Sequence, residues 1–217
     1  MNLDIIWQNL PYLALGLRVT LVTTVLVMVG GCGLGALLAL ARMSGWPGLK
    51  QAAILYIELI RGMPLLVVLF LVYFGVPPLT GVHLAAWPAA VIGFIAFIGP
   101  YIAEDLRAGL EAVPPGLAEA ARALGLRPRQ VLRLVVLPLA LRRVIGPLFG
   151  EFVRLLKFTA VASVIGVSDL TGVAIEINAR AFQPAALIGT LAVVYFVCCF
   201  ALSQIGRFLT RRYAIIR

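Results

Sequence analysis

Four long stretches of the chain carry no charged residue: between Arg18 and Arg42, from Met63 to about Leu79, from Leu84 to Ala103, and from Pro184 to Gly206. Crossing ~30 Å of hydrocarbon at ~1.5 Å per residue takes about 20 apolar residues, so each stretch predicts a transmembrane helix. A further run, about Val144 to Leu170, is long enough but carries Glu151, Arg154 and Lys157. Charges three apart drift slowly around a helix and are expected to share one side. The rest of the run is rich in Leu, Val, Ile and Phe, which predicts a span with one polar flank turned away from lipid. The pattern therefore predicts an all-α membrane protein with five transmembrane helices.

Composition strengthens this reading. Apolar types make up 62% of the 217 residues, charged types 12%, and the mean hydropathy is +1.05. Soluble domains hold about 45–50% apolar and about 25% charged residues, and a chain of this size could not cover such an excess with polar surface. A water-soluble enzyme and a disordered chain are both excluded, and residues 1–217 read as one membrane domain. Cys32, Cys198 and Cys199 lie inside apolar runs without ligand spacing and read as packing residues.

The net charge of +9 falls mostly between the apolar runs. That placement suits loops against a negatively charged leaflet and not a nucleic-acid partner. Arg42 and Lys50 follow the first span. Arg107, Arg122, Arg127, Arg129, Arg133, Arg142 and Arg143 lie between spans three and four, and Arg207, Arg211, Arg212 and Arg217 follow span five; the opposite loops hold only His83 and Arg180. The positive-inside rule places the N-terminus outside and the C-terminus in the cytoplasm. Trp7, Trp46 and Trp87 fall at span edges. The start, Met1-Asn2-Leu3-Asp4, lacks a basic n-region, so the first run is expected to be a span and not a cleaved signal, although Ala39-Leu40-Ala41 resembles a cleavage site. Gly31 and Gly35 form a small-xxx-small pair, expected to serve packing within the subunit ahead of a dimer contact.

Between spans three and four, about 107–143, lies a segment too polar to span and too apolar to be disordered. Pro114-Pro115-Gly116 breaks the chain. Leu117–Leu124 is a run of good helix formers, Gly125 suits a position just past a helix end, and Pro128 suits the first turn of the next helix. Leu137-Pro138 is expected to end or kink that second helix. The segment reads either as a helix–turn–helix docking element or as an ordinary surface loop.

Glu119-Ala120-Ala121, Gly125, Val135 and Leu137-Pro138 together resemble, in residue type and spacing, the EAA signature of permease subunits of bacterial ABC importers. Tyr56–Leu66, Tyr101–Gly109, Leu155–Thr159 and Ser163–Leu170 are similar to stretches of the polar amino-acid subfamily. Leu139 stands where that subfamily usually has Gln, Gly150 where Asn is common, and Phe158-Thr159-Ala160 where Asp-Thr-Ser is common. The resemblance implies that Glu119, Ala120, Ala121 and Gly125 form a coupling helix seated on a separate cytoplasmic ATP-binding subunit dimer. It also implies a second permease chain facing this one, an external amino-acid-binding protein, residence in the bacterial inner membrane, and transport by alternating access.

The chain contains no G-x-x-x-x-G-K-[ST], no HExxH and no nucleophile elbow. ATP and Mg are accordingly expected on the partner, with no cofactor in this chain and no enzymatic activity of its own. Two rival readings are an ion-gradient-driven secondary transporter and a non-transporting assembly protein. Among single residues, Glu58 and Arg61 are either a local ion pair at the interface or part of the pathway. Glu151, Arg154 and Lys157 are pathway candidates because intramembrane charge is costly unless paired or wetted; a structural Glu151–Arg154 pair is the alternative. Thr159 could bond a ligand or its own helix backbone. Tyr101 follows Gly99-Pro100, where a kink would free carbonyls. The excess of cations over anions in the spans, with Phe158 in place of Asp, predicts a neutral or acidic zwitterionic substrate whose carboxylate is drawn to Lys157.

Overall fold

The computed structural model describes residues 4–213; Met1–Leu3 and Arg217, used above for topology, lie outside them. Among the described residues the chain is built of helices joined by short turns, with no strand. Helix α1 is Asp4–Gln8, α2 Leu10–Arg42, α3 Pro47–Gly62, α4 Leu65–Phe70, α5 Val76–Thr80 and α6 Ala86–Glu111. They are followed by α7 Pro115–Ala123, α8 Pro128–Val131, α9 Leu137–Phe158, α10 Leu170–Ala181 and α11 Pro184–Tyr213. Three helices, α2, α6 and α11, are each long and apolar enough to cross a membrane, and two bent pairs bring the number to five if each is one span.

The centre is the contact of α2 with α6, and glycines set its closeness. A Cβ on Gly35 would lie 2.7–2.9 Å from Ile102 and the Gly99 carbonyl, and one on Gly31 would overlap Ile98. The Gly31/Gly35 pair thus serves packing within the subunit. Around it, Val27, Met28, Leu69, Phe94, Ile98, Ile102 and Leu155 form the buried core. A second cluster, Leu13, Leu170, Val173, Ala174, Ile177 and Leu187, ties α2 to α10 and α11.

Several boundaries differ from the hydropathy pattern. The helix of the first span, α2, begins at Leu10 and carries Arg18 within it. The second apolar run is preceded by a separate helix, α3, and the chain turns by 112° at the Met63-Pro64 break. Helix α3 escaped notice because its face is mixed, with Ala53 and Ile57 buried and Lys50, Glu58 and Arg61 outside. Leu137-Pro138 neither ends nor breaks its helix. The turn Leu132–Val136 widens to π geometry, with the Leu137 N–H bonding the Leu132 carbonyl. This moves the residue 134 carbonyl away from the Pro138 ring, which would otherwise clash with it. The same device precedes Pro77-Pro78, where Leu71–Gly75 is π-helical. Finally, the run expected over Val144–Leu170 is α-helical only to Phe158; Thr159–Ile165 is 3₁₀ and ends at Gly166 with φ +88°.

Candidate functional site

The segment carrying the EAA residues folds as two short helices outside the bundle's apolar core. Pro114 precedes α7 and Pro115 occupies its first turn, where the missing N–H costs nothing. The end of α7 is a Schellman turn: the Gly125 N–H bonds the Arg122 carbonyl at 2.9 Å and the Leu126 N–H bonds Ala121 at 3.2 Å. Gly125 has φ +84°, the left-handed conformation that the turn needs. Pro128 opens α8, and the Gln130 side chain accepts the Arg127 N–H at 2.9 Å. Within α7, Ala121 is buried, while Glu119, Ala120 and Gly125 are exposed. The helix therefore stands on its Ala121 side and offers the Glu119–Ala120 side outward.

A second group of residues converges on Tyr101 of α6. The Arg61 guanidinium, from the last turn of α3, lies 5.6 Å from the centroid of its ring, and Arg154 of α9 lies 5.4 Å from it. One aromatic ring thus carries two cations from two other helices. Arg154 also pairs with Glu151 at 3.2 Å. Glu151 is only 5% exposed, and its Oε2, like Oδ2 of Asp105 one turn beyond Tyr101, has no hydrogen-bond partner among the described residues. The Tyr101 ring packs on Phe97 at 5.2 Å, and Phe97 meets Phe158 edge-on at 6.1 Å. The result is a cluster of two cations and two carboxylates around Tyr101, backed by an aromatic wall.

Toward the α7 end of α6 the charges continue. Glu104 pairs with Arg42 of α2 and, at 2.8 Å, with Arg107, which also reaches Glu111 at 2.6 Å. This network ties the ends of the two central helices together just before the chain enters α7. Glu104 and Asp105 are not among the candidates that the sequence pattern marks. Their position directly after the apolar run, three and four residues past Tyr101 on the same helix, is the signal available for them.

The structure separates the other sequence candidates from this cluster. Glu58 is exposed and makes no ion pair with Arg61 among the described residues; Arg61 turns to Tyr101 instead. Lys157 does not share the flank of Glu151 and Arg154. Each three-residue step turns about 60°, so Lys157 stands about 120° from Glu151 and is exposed, without the contacts to Glu151 and Tyr101 that Arg154 makes. Thr159 is buried and donates to the Leu156 carbonyl at 2.8 Å, which occupies its hydroxyl proton with backbone.

Residues 31–215 match the family model for binding-protein-dependent transport system inner membrane component. The chain is 36% identical over 212 residues to the glutamine transport system permease protein GlnP of Escherichia coli K12, covering 97% of each chain. To the L-cystine transport system permease protein TcyB of Bacillus subtilis it is 37% identical, covering 96% of this chain and 90% of that one. The crystal structure of an amino acid ABC transporter with histidines superposes with a TM-score of 0.93 at 35% identity, over 98% of this chain and 99% of that one. With the apolar helices, the π-relieved prolines and the external two-helix element in place, the chain belongs to the inner-membrane components of binding-protein-dependent transport systems, the multi-pass permease subunits of ABC importers.

Proposed function

We propose that this permease imports polar amino acids by alternating access, with its N-terminus outside and α7 as the coupling helix. The observation that carries the reading is α7 itself: a short exposed helix closed by a left-handed glycine, joined to α6 immediately after the Arg42–Glu104–Arg107–Glu111 network. Force applied to Glu119 and Ala120 by a soluble subunit reaches α2 and α6 as one body. A dimer of ATP-binding subunits supplies that force and holds the nucleotide and Mg. An external binding protein delivers the solute, and a second permease chain completes the pathway. The similarity to glutamine, cystine and histidine-associated relatives supports an amino acid as cargo.

Within the chain, the pathway runs past Tyr101. Arg61 and Arg154 offer positive charge, and Glu151 and Asp105 offer carboxylate oxygens, a set complementary to a zwitterion. Glu58, Lys157 and Thr159 contribute less directly, since the first two point outward and the third is occupied with its own helix.

The test is co-purification of an ATP-binding subunit, followed by substrate-stimulated ATPase activity of the assembled complex across an amino-acid panel. Glu119→Lys and Gly125→Val are expected to leave the permease inserted but to reduce both ATPase-subunit retention and stimulation. Unchanged stimulation in both variants removes the coupling assignment. Uptake without any ATP-binding subunit favours the secondary-transporter alternative.

A further inference from the structure

We propose that the groove between α9 and α11, at the end of the bundle that carries α7, binds an anionic phospholipid. The groove has a volume of about 430 Å³ and is lined by Gly146, Phe149, Gly150 and Val153 on one side and by Ser203, Gly206, Arg207, Thr210 and Arg211 on the other. These positions recur at three- and four-residue intervals, so each set is one face of its helix.

The two helices pack closely at Gly206, and Gly146 faces Thr210, 3.4 Å from where its Cβ would stand. A Cβ on Gly206 would meet Phe149 at 2.7 Å, which leaves no room between them there. Beside that contact, Gly150 has nothing within 4 Å of where a Cβ would stand, so the floor is open. The groove is thus apolar toward Val153 and basic toward Arg211.

Its polar end lacks anions. Neither Arg207 nor Arg211 pairs with a carboxylate among the described residues, and α11 contains no Asp or Glu. Arg142 and Arg143, one turn before Gly146 on α9, add to the positive charge at the same end. Thr210 spends its hydroxyl proton on the Gly206 carbonyl at 2.8 Å, so the free donors at this end are the guanidinium groups; Ser203 lies on the Val153 side of the Gly206–Phe149 contact. Unpaired arginines at the edge of an apolar groove complement a ligand with a phosphate at one end and hydrocarbon at the other. In a bilayer that ligand is an anionic lipid, drawn by roughly 1 kcal/mol per interfacial arginine. A soluble anion would leave the Phe149–Val153 portion uncovered, and a second copy of the chain would have to bring an acidic group to meet the arginines.

The experiment is native mass spectrometry of the assembled importer in detergent, with phosphatidylglycerol and phosphatidylcholine of matched chains added in equal amounts. The parent is expected to retain phosphatidylglycerol with a preference of about thirtyfold, the two arginines acting together. Arg207→Gln with Arg211→Gln is expected to bring the preference near unity. Arg129→Gln with Arg133→Gln, which removes the same charge elsewhere, should leave it unchanged. Gly150→Leu fills the groove without altering charge and is expected to reduce retention, so the result does not depend on the arginine variant assembling. Equal retention of both lipids by the parent, or an equal drop in the control pair, overturns the proposal. Displacement of the lipid by sn-glycerol 3-phosphate alone would show a phosphate site and not a lipid site, and also overturns it. So does disulfide linkage of two permeases through Gly150→Cys in a chain whose native cysteines are replaced, because the occupant would then be the second copy.

Discussion

The hydroxyl of Tyr56 on α3 donates to the backbone carbonyl of Ala96 on α6 at 3.0 Å. Ala96 lies four residues before Pro100, so its carbonyl is the one that proline leaves without a helical donor. Helix α6 continues through Pro100 because α3 supplies the missing proton. Tyr56→Phe is expected to orphan that carbonyl and to destabilise the protein by about 1–3 kcal/mol, lowering the melting midpoint of the purified complex by several degrees. Pro100→Ala restores an N–H, so the double variant should be less destabilised than the sum of the single changes. Strict additivity in that double-mutant cycle would show that the two residues are not coupled.

Tyr101 holds two guanidinium groups over one ring, each contact worth about 0.5–1 kcal/mol when partly exposed. Tyr101→Leu should lower substrate-stimulated ATPase by about tenfold, while Tyr101→Phe, which keeps the ring, should remain within about twofold. Equal loss in both variants would point to the hydroxyl and away from the ring.

Glu151 is buried and depends on Arg154, whose side chain is 45% exposed. Arg154→Ala leaves the buried carboxylate without its partner, at a cost of about 1–3 kcal/mol once solvent screening at the half-exposed Arg154 is allowed for, and thermal unfolding should show the loss. Glu151→Leu with Arg154→Leu removes both charges and is expected to be close to the parent in stability. Lys157→Leu, on an exposed position without a carboxylate partner among the described residues, should change stability by less than about 0.5 kcal/mol.

Topology is open to direct labelling. In a chain with its native cysteines replaced, Val82→Cys should react with an impermeant thiol reagent from outside, and Leu126→Cys only from inside. Both positions are accessible by their placement, Val82 in the exposed turn after α5 and Leu126 beside the Schellman turn. Labelling of Leu126→Cys from outside reverses the proposed orientation.

The two cations and two carboxylates around Tyr101 balance, which predicts that net-neutral amino acids outcompete arginine and lysine in reconstituted vesicles. Phe158 stands on the aromatic wall with Phe97, and does not face away from it. Phe158→Asp is therefore expected to shift preference toward cationic substrates while costing some packing. Efficient arginine uptake by the parent, or unaltered preference in the variant, defeats this account of selectivity.

Hydropathy alone determined that the chain is a helical membrane protein, because desolvation makes a charge-free run of about 20 residues meaningful without knowledge of its neighbours. Local backbone rules likewise placed the α7 turn: Gly125 and Pro128 act through φ and a missing N–H, which depend on no distant contact. The prolines were visible too, but their consequences were not. Whether Pro138 breaks a helix depends on whether the preceding turn can widen, and whether Pro100 frees a carbonyl depends on Tyr56, 44 positions away. The charges show the same division. Spacing suggested that Glu151, Arg154 and Lys157 act together, yet only Glu151 is buried and only Arg154 reaches it and Tyr101, and Arg61 left its neighbour Glu58 for a ring 40 residues on. Intramembrane charge takes the best partner within reach of its side chain, and which partner is in reach is decided by how α3, α6 and α9 pack.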